Sequence, residues 1–218
     1  MIGDLLPAPV VTAHAYGDPP EASLLSPEDT HITRAVERRR REFTTVRWCA
    51  RTAMVALGVA PAPVLPGERG APCWPAGVVG SMTHCAGYRA AALAPAATVR
   101  TVGIDAEPNE RLPAGVLAAI ALPAERARLG ALFVARPDVA ADRLLWSAKE
   151  AFYKAWFPLG RRLLDFDEAE VELRADGTFS ARLRTPEPGV PDGFPGRWRV
   201  ADGLVATAIA VPVAESAG

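Results

Sequence analysis

The sequence predicts an α+β protein, antiparallel sheet with helices packed on it. Three observations point there. Two pairs of strand-like runs flank Asp176-Gly177 and Asp202-Gly203, the signature of tight hairpins. Trp146, Phe152, Tyr153, Trp156 and Phe157 recur at helical spacing and predict a largely buried helix. Ser26-Pro27-Glu28-Asp29 reads as a helix start, with a serine cap, proline in the first position and acids in the first turn.

In chain order, residues 1–25 form an extended lead with a strand near Val10–Ala15. The helical pattern opened at Ser26 continues through Phe43, Val46, Ala50, Ala53, Met54 and Leu57, with a kink or break near Thr44-Thr45, and Gly58 ends it. Residues 59–77 are rich in Pro and Gly and read as a long loop, a length that in compact domains marks function or mobility. Val78–Ala94 reads as two strands meeting near Ala86-Gly87, and Val99–Glu107 as a third. Short helices are expected near 114–121 and 123–130. The aromatic helix begins near Asp142, and the two Asp-Gly hairpins follow, built from 169–184 and 197–213.

Composition excludes several classes. The 218 residues suffice for a sizeable core, and half of them are hydrophobic. A net charge of −1 argues against a general nucleic-acid binder. Cys49, Cys73 and Cys85 are odd in number and lack C-x-x-C spacing, which favours a reducing compartment over a disulfide frame or zinc site. The N-terminus has no basic region and is interrupted by Pro7 and Pro9, so it is no signal peptide. No apolar run reaches membrane-spanning length. A cytoplasmic location is expected.

Two segments carry the chemistry. In Val102-Gly-Ile-Asp-Ala-Glu107, Asp105 and Glu107 are two apart on a strand and share a face. In Trp146-Ser-Ala-Lys-Glu-Ala-Phe-Tyr-Lys154, Glu150 and Lys154 are four apart on a helix and share a face. Together the acids Asp105, Glu107 and Glu150 can hold a hard divalent cation against a phosphate, with Lys149 and Lys154 neutralising phosphate charge. Each has a plainer reading. Asp105 and Glu107 are also what a solvated strand end before Pro108 looks like, and Ser147-x-x-Glu150 also fits a capping box. The aromatic surroundings of Glu150 tip the balance, because a buried acid needs a partner or a metal. Arg38-Arg39-Arg40-Arg41 is ordinarily a solvated helix face. Arg40, Arg47 and Arg51 fall on one helical stripe. Ser81 and His84 lack the G-x-S-x-G context of a hydrolase, and no second ligand stands at metal spacing from His84. No P-loop and no kinase glycine-rich loop is present, which disfavours another Mg²⁺-dependent phosphotransferase.

These segments, with Gly80-Ser-Met-Thr-His-Cys85 and Gly70-Ala-Pro-Cys-Trp-Pro75 upstream, resemble the signature of the 4′-phosphopantetheinyl transferases. Their order and spacing are similar to the Sfp-type enzymes, and their wording to the EntD-like and actinobacterial branch. The resemblance covers residues 27 to 212. It implies two similar α/β halves related by a pseudo-twofold, residues 1–100 gripping the 3′-phosphate of coenzyme A and residues 101–218 carrying the metal site and catalytic helix. It implies transfer of the phosphopantetheine arm of coenzyme A to a serine of an apo acyl or peptidyl carrier protein, with 3′,5′-ADP released. Carriers of polyketide or nonribosomal peptide synthesis, in secondary metabolism, are the partners implied, and a monomer is expected. By the same resemblance Asp105, Glu107 and Glu150 hold Mg²⁺, with Mn²⁺ as an alternative. Glu150 is the candidate base, directly or through a bound water. Arg39 and Arg47 join His84 on the 3′-phosphate, spacing leaving Arg39 and Arg40 unseparated, and Ser81 and Thr83 lie near the diphosphate. The family often has a lysine where this chain has Pro66, and Arg69 is its candidate substitute. Leu112–Ile120 is a candidate carrier-docking surface, or part of the core. The rival is a non-catalytic module that binds coenzyme A or another phosphate ligand.

Overall fold

The computed structural model describes residues 1–214. Helix and sheet are mixed, as the sequence predicts. One antiparallel sheet has the order β1-β5-β4, from β1 (Val11–Tyr16), β4 (Val78–Cys85) and β5 (Tyr88–Pro95). The other has the order β6-β10-β9-β8-β7, from β6 (Val99–Pro108), β7 (Ala169–Leu173), β8 (Thr178–Leu183), β9 (Phe194–Ala201) and β10 (Leu204–Pro212). Asp176-Gly177 and Asp202-Gly203 sit at the β7–β8 and β9–β10 turns, where both glycines have positive φ.

The layers follow from the side chains. β5 is buried along Tyr88–Ala94, because it is covered on both faces and so reads as a continuous apolar run. On one face α1 (Glu37–Ala56) packs Cys49, Ala50, Ala53 and Met54 against Ala91 and Leu93. On the other, Tyr88, Ala90 and Ala92 meet Val102, Ile104 and Ala106 of β6, so the two sheets share a core. Thr101, Gly103, Asp105 and Glu107 of β6 face α4 (Ala141–Gly160), whose Leu144, Leu145, Ala148, Phe152 and Trp156 fill the C-terminal core.

Gly103 sets how close α4 lies. A Cβ there would stand 2.0 Å from the carbonyl oxygen of Ala151 and 2.8 Å from the Cβ of Ala155, so only a glycine lets this helix touch the strand bearing Asp105. Where β4 and β6 abut, hydroxyls replace a backbone ladder. Ser81 Oγ accepts the amide of Ile104 at 3.1 Å and Thr83 Oγ1 accepts that of Ala106 at 3.2 Å, satisfying donors that an edge strand leaves open.

Several boundaries differ from expectation. No α-helix starts at Ser26: Glu28–Ile32 is a short 3₁₀ turn, and α1 begins at Glu37 and runs unbroken through Thr44-Thr45. The carboxylate of Glu28, fully buried, takes the amides of Leu25 and Val64 and the guanidinium of Arg51, which ties the chain lead to α1 and leaves the acid serving tertiary contacts. The expected 59–77 loop contains a small hairpin of β2 (Leu65–Pro66) and β3 (Pro72–Cys73). α2 (Val116–Ile120) and α3 (Pro123–Ala135) occupy the region of the two short helices, the second running longer than predicted. Ser147 is internal to α4 and bonds Thr207 Oγ1 at 2.9 Å, so it caps nothing. Among the described residues no helix is long and apolar enough to cross a membrane.

Candidate active site

A cleft of about 560 Å³ opens between α1, the β2–β3 turn, β4 and α4. From α4 it takes Glu150, Tyr153, Lys154, Phe157 and Arg161, the i, i+3, i+4, i+7 stripe of one helical face and the residue that ends it. From α1 it takes Arg39 and Arg47, from β4 His84, and from the β2–β3 turn Arg69, held at a φ of 54°. Among its charged side chains the basic ones, with Arg161, outnumber the acids Glu68 and Glu150.

Beneath it, Lys154 reaches from α4 to β6. Its Nζ lies 2.7 Å from Asp105 Oδ1 and 3.2 Å from the carbonyl of Ile104. Burial works to lower the lysine's pKa, but the charge and hydrogen bond of Asp105 outweigh it and hold the ammonium form. Thr83 donates to the same Oδ1 at 3.1 Å. Among the described residues Asp105 Oδ2 is buried with no hydrogen-bond partner. Glu107 meets Arg143 at 3.4 Å, yet burial, with the charges of Asp105 and Glu150 adding to it, pushes its carboxyl up to about 7. Burial and Asp105 also raise Glu150, with Lys154 opposing.

Asp105, Glu107 and Glu150 thus lie within one another's electrostatic reach, across β6 and α4. Among the described residues no group of three His, Cys, Asp or Glu side chains forms a preformed metal cage. Mg²⁺ does not require one, since it takes one or two carboxylates, several waters and substrate phosphate oxygens. The bare, buried Oδ2 of Asp105 and the raised carboxyls around it are what an acid cluster short of positive charge looks like, and a hard divalent cation fits them.

Arg39 and His84 form the second cluster. Arg39 Nη1 lies 2.6 Å from His84 Nε2, and Glu42 Oε2 lies 3.5 Å from the same nitrogen. Burial and the Arg39 charge push His84 down to about 4, so its neutral ring accepts from the guanidinium. The structure separates Arg39 from Arg40: Arg40 turns back onto the carbonyls of Ala35 and Thr33, beside the start of α1. Arg47 is buried, its Nε donating to the Val64 carbonyl at 2.8 Å, and burial pulls it down to about 10.

Two expectations are corrected. Lys149 is turned away from the cleft. Five residues before Lys154, it lies about 140° around the helix from it. Its Nζ pairs with Glu125 at 3.0 Å and donates to the carbonyls of Phe166 and Ala169, so it braces the C-terminal half and faces no ligand. Thr83 is buried, its hydroxyl occupied by Asp105 and the Ala106 amide, so it lies under the site and not on its surface. The Ser81 hydroxyl is likewise engaged, although the residue forms part of the wall. In the 112–120 segment Ile120 is buried, while Leu112, Val116 and Leu117 are partly buried against the C-terminal core.

Glu42 and Arg143 were missed from sequence. Glu42 left a faint signal, four residues after Arg38 and three after Arg39 on one helix. Arg143 left none, since its partner Glu107 is 36 positions away. The three cysteines are unpaired, and burial pushes the Cys85 thiol up to about 12.

Residues 27–94 match the model of the 4′-phosphopantetheinyl transferase N-terminal domain, and residues 101–208 that of the 4′-phosphopantetheinyl transferase superfamily. The chain is 58% identical over 219 residues to 4′-phosphopantetheinyl transferase Svp of Streptomyces mobaraensis, covering 97% of this chain and 89% of that one. It is 48% identical to 4′-phosphopantetheinyl transferase PptT of Mycobacterium tuberculosis, covering 96% and 97%. It is 46% identical to 4′-phosphopantetheinyl transferase Npt of Nocardia iowensis, covering 96% and 99%.

Proposed function

The chain belongs to the 4′-phosphopantetheinyl transferase superfamily, enzymes that move the phosphopantetheine group of coenzyme A to carrier proteins, and from that premise we propose a metal-assisted transfer centred on Asp105, Glu107, Glu150 and Lys154. The observation that carries the proposal is the contact between Lys154 and Asp105 at the floor of the basic cleft, with one aspartate oxygen left bare.

In this reading residues 1–100 and 101–218 are two similar α/β halves related by a pseudo-twofold. Arg39, Arg47 and His84 of the first half bind the 3′-phosphate, and Arg69 adds a further charge from the β2–β3 turn. A phosphate beside His84 favours its protonated form, so the ring changes from acceptor to donor as the ligand enters. Lys154, one turn beyond Glu150, neutralises the diphosphate and the departing 3′,5′-ADP. Asp105, Glu107 and Glu150 would hold Mg²⁺, or Mn²⁺, which would supply positive charge to the diphosphate. A serine hydroxyl is a weak nucleophile at neutral pH, so its proton must be taken as it attacks phosphorus. Glu150 takes it. Acyl and peptidyl carriers of secondary metabolism are the acceptors, the enzyme acting as a cytoplasmic monomer.

The test is incubation with coenzyme A, Mg²⁺ and an apo-carrier, followed by mass analysis. An added phosphopantetheine arm, with release of 3′,5′-ADP and loss of both on chelation, is expected. Binding of coenzyme A without transfer would make the chain a binding module and overturn the proposal.

A further inference from the structure

We infer that Thr83, through its hydroxyl, is a positioning residue that selects which oxygen of Asp105 is presented to a divalent cation. The inference rests on the metal reading above and deepens it.

The two oxygens of Asp105 have unlike surroundings. Oδ1 receives the Thr83 hydroxyl at 3.1 Å and the Lys154 ammonium at 2.7 Å, while Oδ2 is buried and, among the described residues, unpartnered. A carboxylate on a two-fold torsion can exchange its oxygens, and a bare buried oxygen is costly unless a cation fills it. Lys154 alone does not settle which oxygen stays unpartnered, because an ammonium at the end of a four-carbon chain follows either one. Thr83 does settle it. Its oxygen already accepts the Ala106 amide at 3.2 Å, so its hydrogen is directed away from that bond and toward Asp105. Its side chain is β-branched and buried, which fixes χ1. Amide, hydroxyl and carboxylate form one polarised chain anchored in the backbone of the strand that carries the acid. Ser81, two residues earlier on the same face of β4, clips the Ile104 amide in the same way, but among the described residues its hydroxyl meets no carboxylate. The seam explains why a hydroxyl is present at both positions. Only at Thr83 does the hydroxyl also orient an acid.

The test measures Mn²⁺ binding to the enzyme–coenzyme A complex from the electron paramagnetic resonance of free Mn²⁺, alongside the Mg²⁺ dependence of transfer. Thr83→Val is expected to weaken Mn²⁺ binding about tenfold or more, the usual cost of losing a hydrogen bond that orients a metal ligand. Metal-free affinity for coenzyme A should be unchanged. Thr83→Ser should restore Mn²⁺ affinity. Thr101→Val removes a buried hydroxyl on β6, one that bonds the Ala155 carbonyl and, among the described residues, no acid. It should lower the melting temperature and leave Mn²⁺ affinity alone. If Thr83→Val does not fold, Thr83→Ala is measured in its place. Wild-type Mn²⁺ affinity in the Thr83 variant, equal weakening in Thr101→Val, or failure of Thr83→Ser to restore binding would each overturn the inference. No Mn²⁺ binding by the wild type, or undiminished binding by Asp105→Asn, would instead overturn the metal reading, and this inference with it.

Discussion

Lys154 and Asp105, 49 positions apart in the chain, meet at 2.7 Å, and this contact joins α4 to β6 at the floor of the cleft. Asp105 lies almost wholly inside the protein, so the ammonium both balances a buried charge and leaves one oxygen free. Asp105→Asn keeps the shape and removes the charge. Transfer is expected to fall by about 10²–10³-fold or more, the scale of losing one preorganised electrostatic contact. Coenzyme A affinity measured without metal should change little. Single-turnover transfer and calorimetric binding on the same preparation check both halves.

Lys149 and Glu125 form a pair with side chains 2% and 1% exposed. Removing one partner strands a buried charge, at a cost of about 3–5 kcal/mol. Lys149→Met is therefore expected to lose that much in urea unfolding, and Lys149→Met with Glu125→Leu to regain much of it. Coenzyme A affinity of the folded variants should match wild type, because Lys149 faces away from the cleft.

Gly103 is the point of closest approach between strand and catalytic helix. Gly103→Ala forces a methyl to within 2.0 Å of a backbone oxygen, so α4 must shift. A loss of about 1–3 kcal/mol is expected from overpacking, and transfer should suffer beyond it because Glu150 and Lys154 move with the helix. Thermal denaturation and the transfer rate of the folded protein check this.

His84 sets a pH dependence. A free imidazole titrates near 6.5, while burial and the Arg39 charge hold His84 at about 4, with Lys154 and Arg89 adding to the depression and Glu42 opposing it. Between these values the unfolded chain binds a proton that the folded chain does not. Stability is therefore unaffected by His84 above about 6.5 and is lost as pH falls toward 4. In His84→Asn the difference from wild type should shrink across that window, read from unfolding midpoints at several pH values.

Much of the site was legible because its residues obey local periods. Asp105 and Glu107 share a strand face by the two-residue repeat, and Glu150 and Lys154 share a helix face by the four-residue step. The same geometry, carried one step further, separates Lys149 from Lys154, and the chemical likeness of the two lysines concealed it. What periodicity does not encode is which acid pairs with which base across the fold. The Glu28–Arg51 and Glu107–Arg143 pairs are set by how sheets and helices close, and no run of adjacent residues records them. The Ser26 start failed for that reason: a good cap sequence was outcompeted by the tertiary contacts of Glu28. The seam hydroxyls of Ser81 and Thr83 were equally hidden, because they serve a neighbouring strand more than twenty positions away.

A crystal of the protein grown with coenzyme A and Mn²⁺, read by anomalous scattering, tests the shared acid site most directly. The expected result is one manganese peak between the coenzyme A diphosphate and the carboxylates of Asp105, Glu107 and Glu150, with Lys154 still against Asp105. A diphosphate bound in the cleft with no peak beside those acids, or with the peak elsewhere, would contradict it.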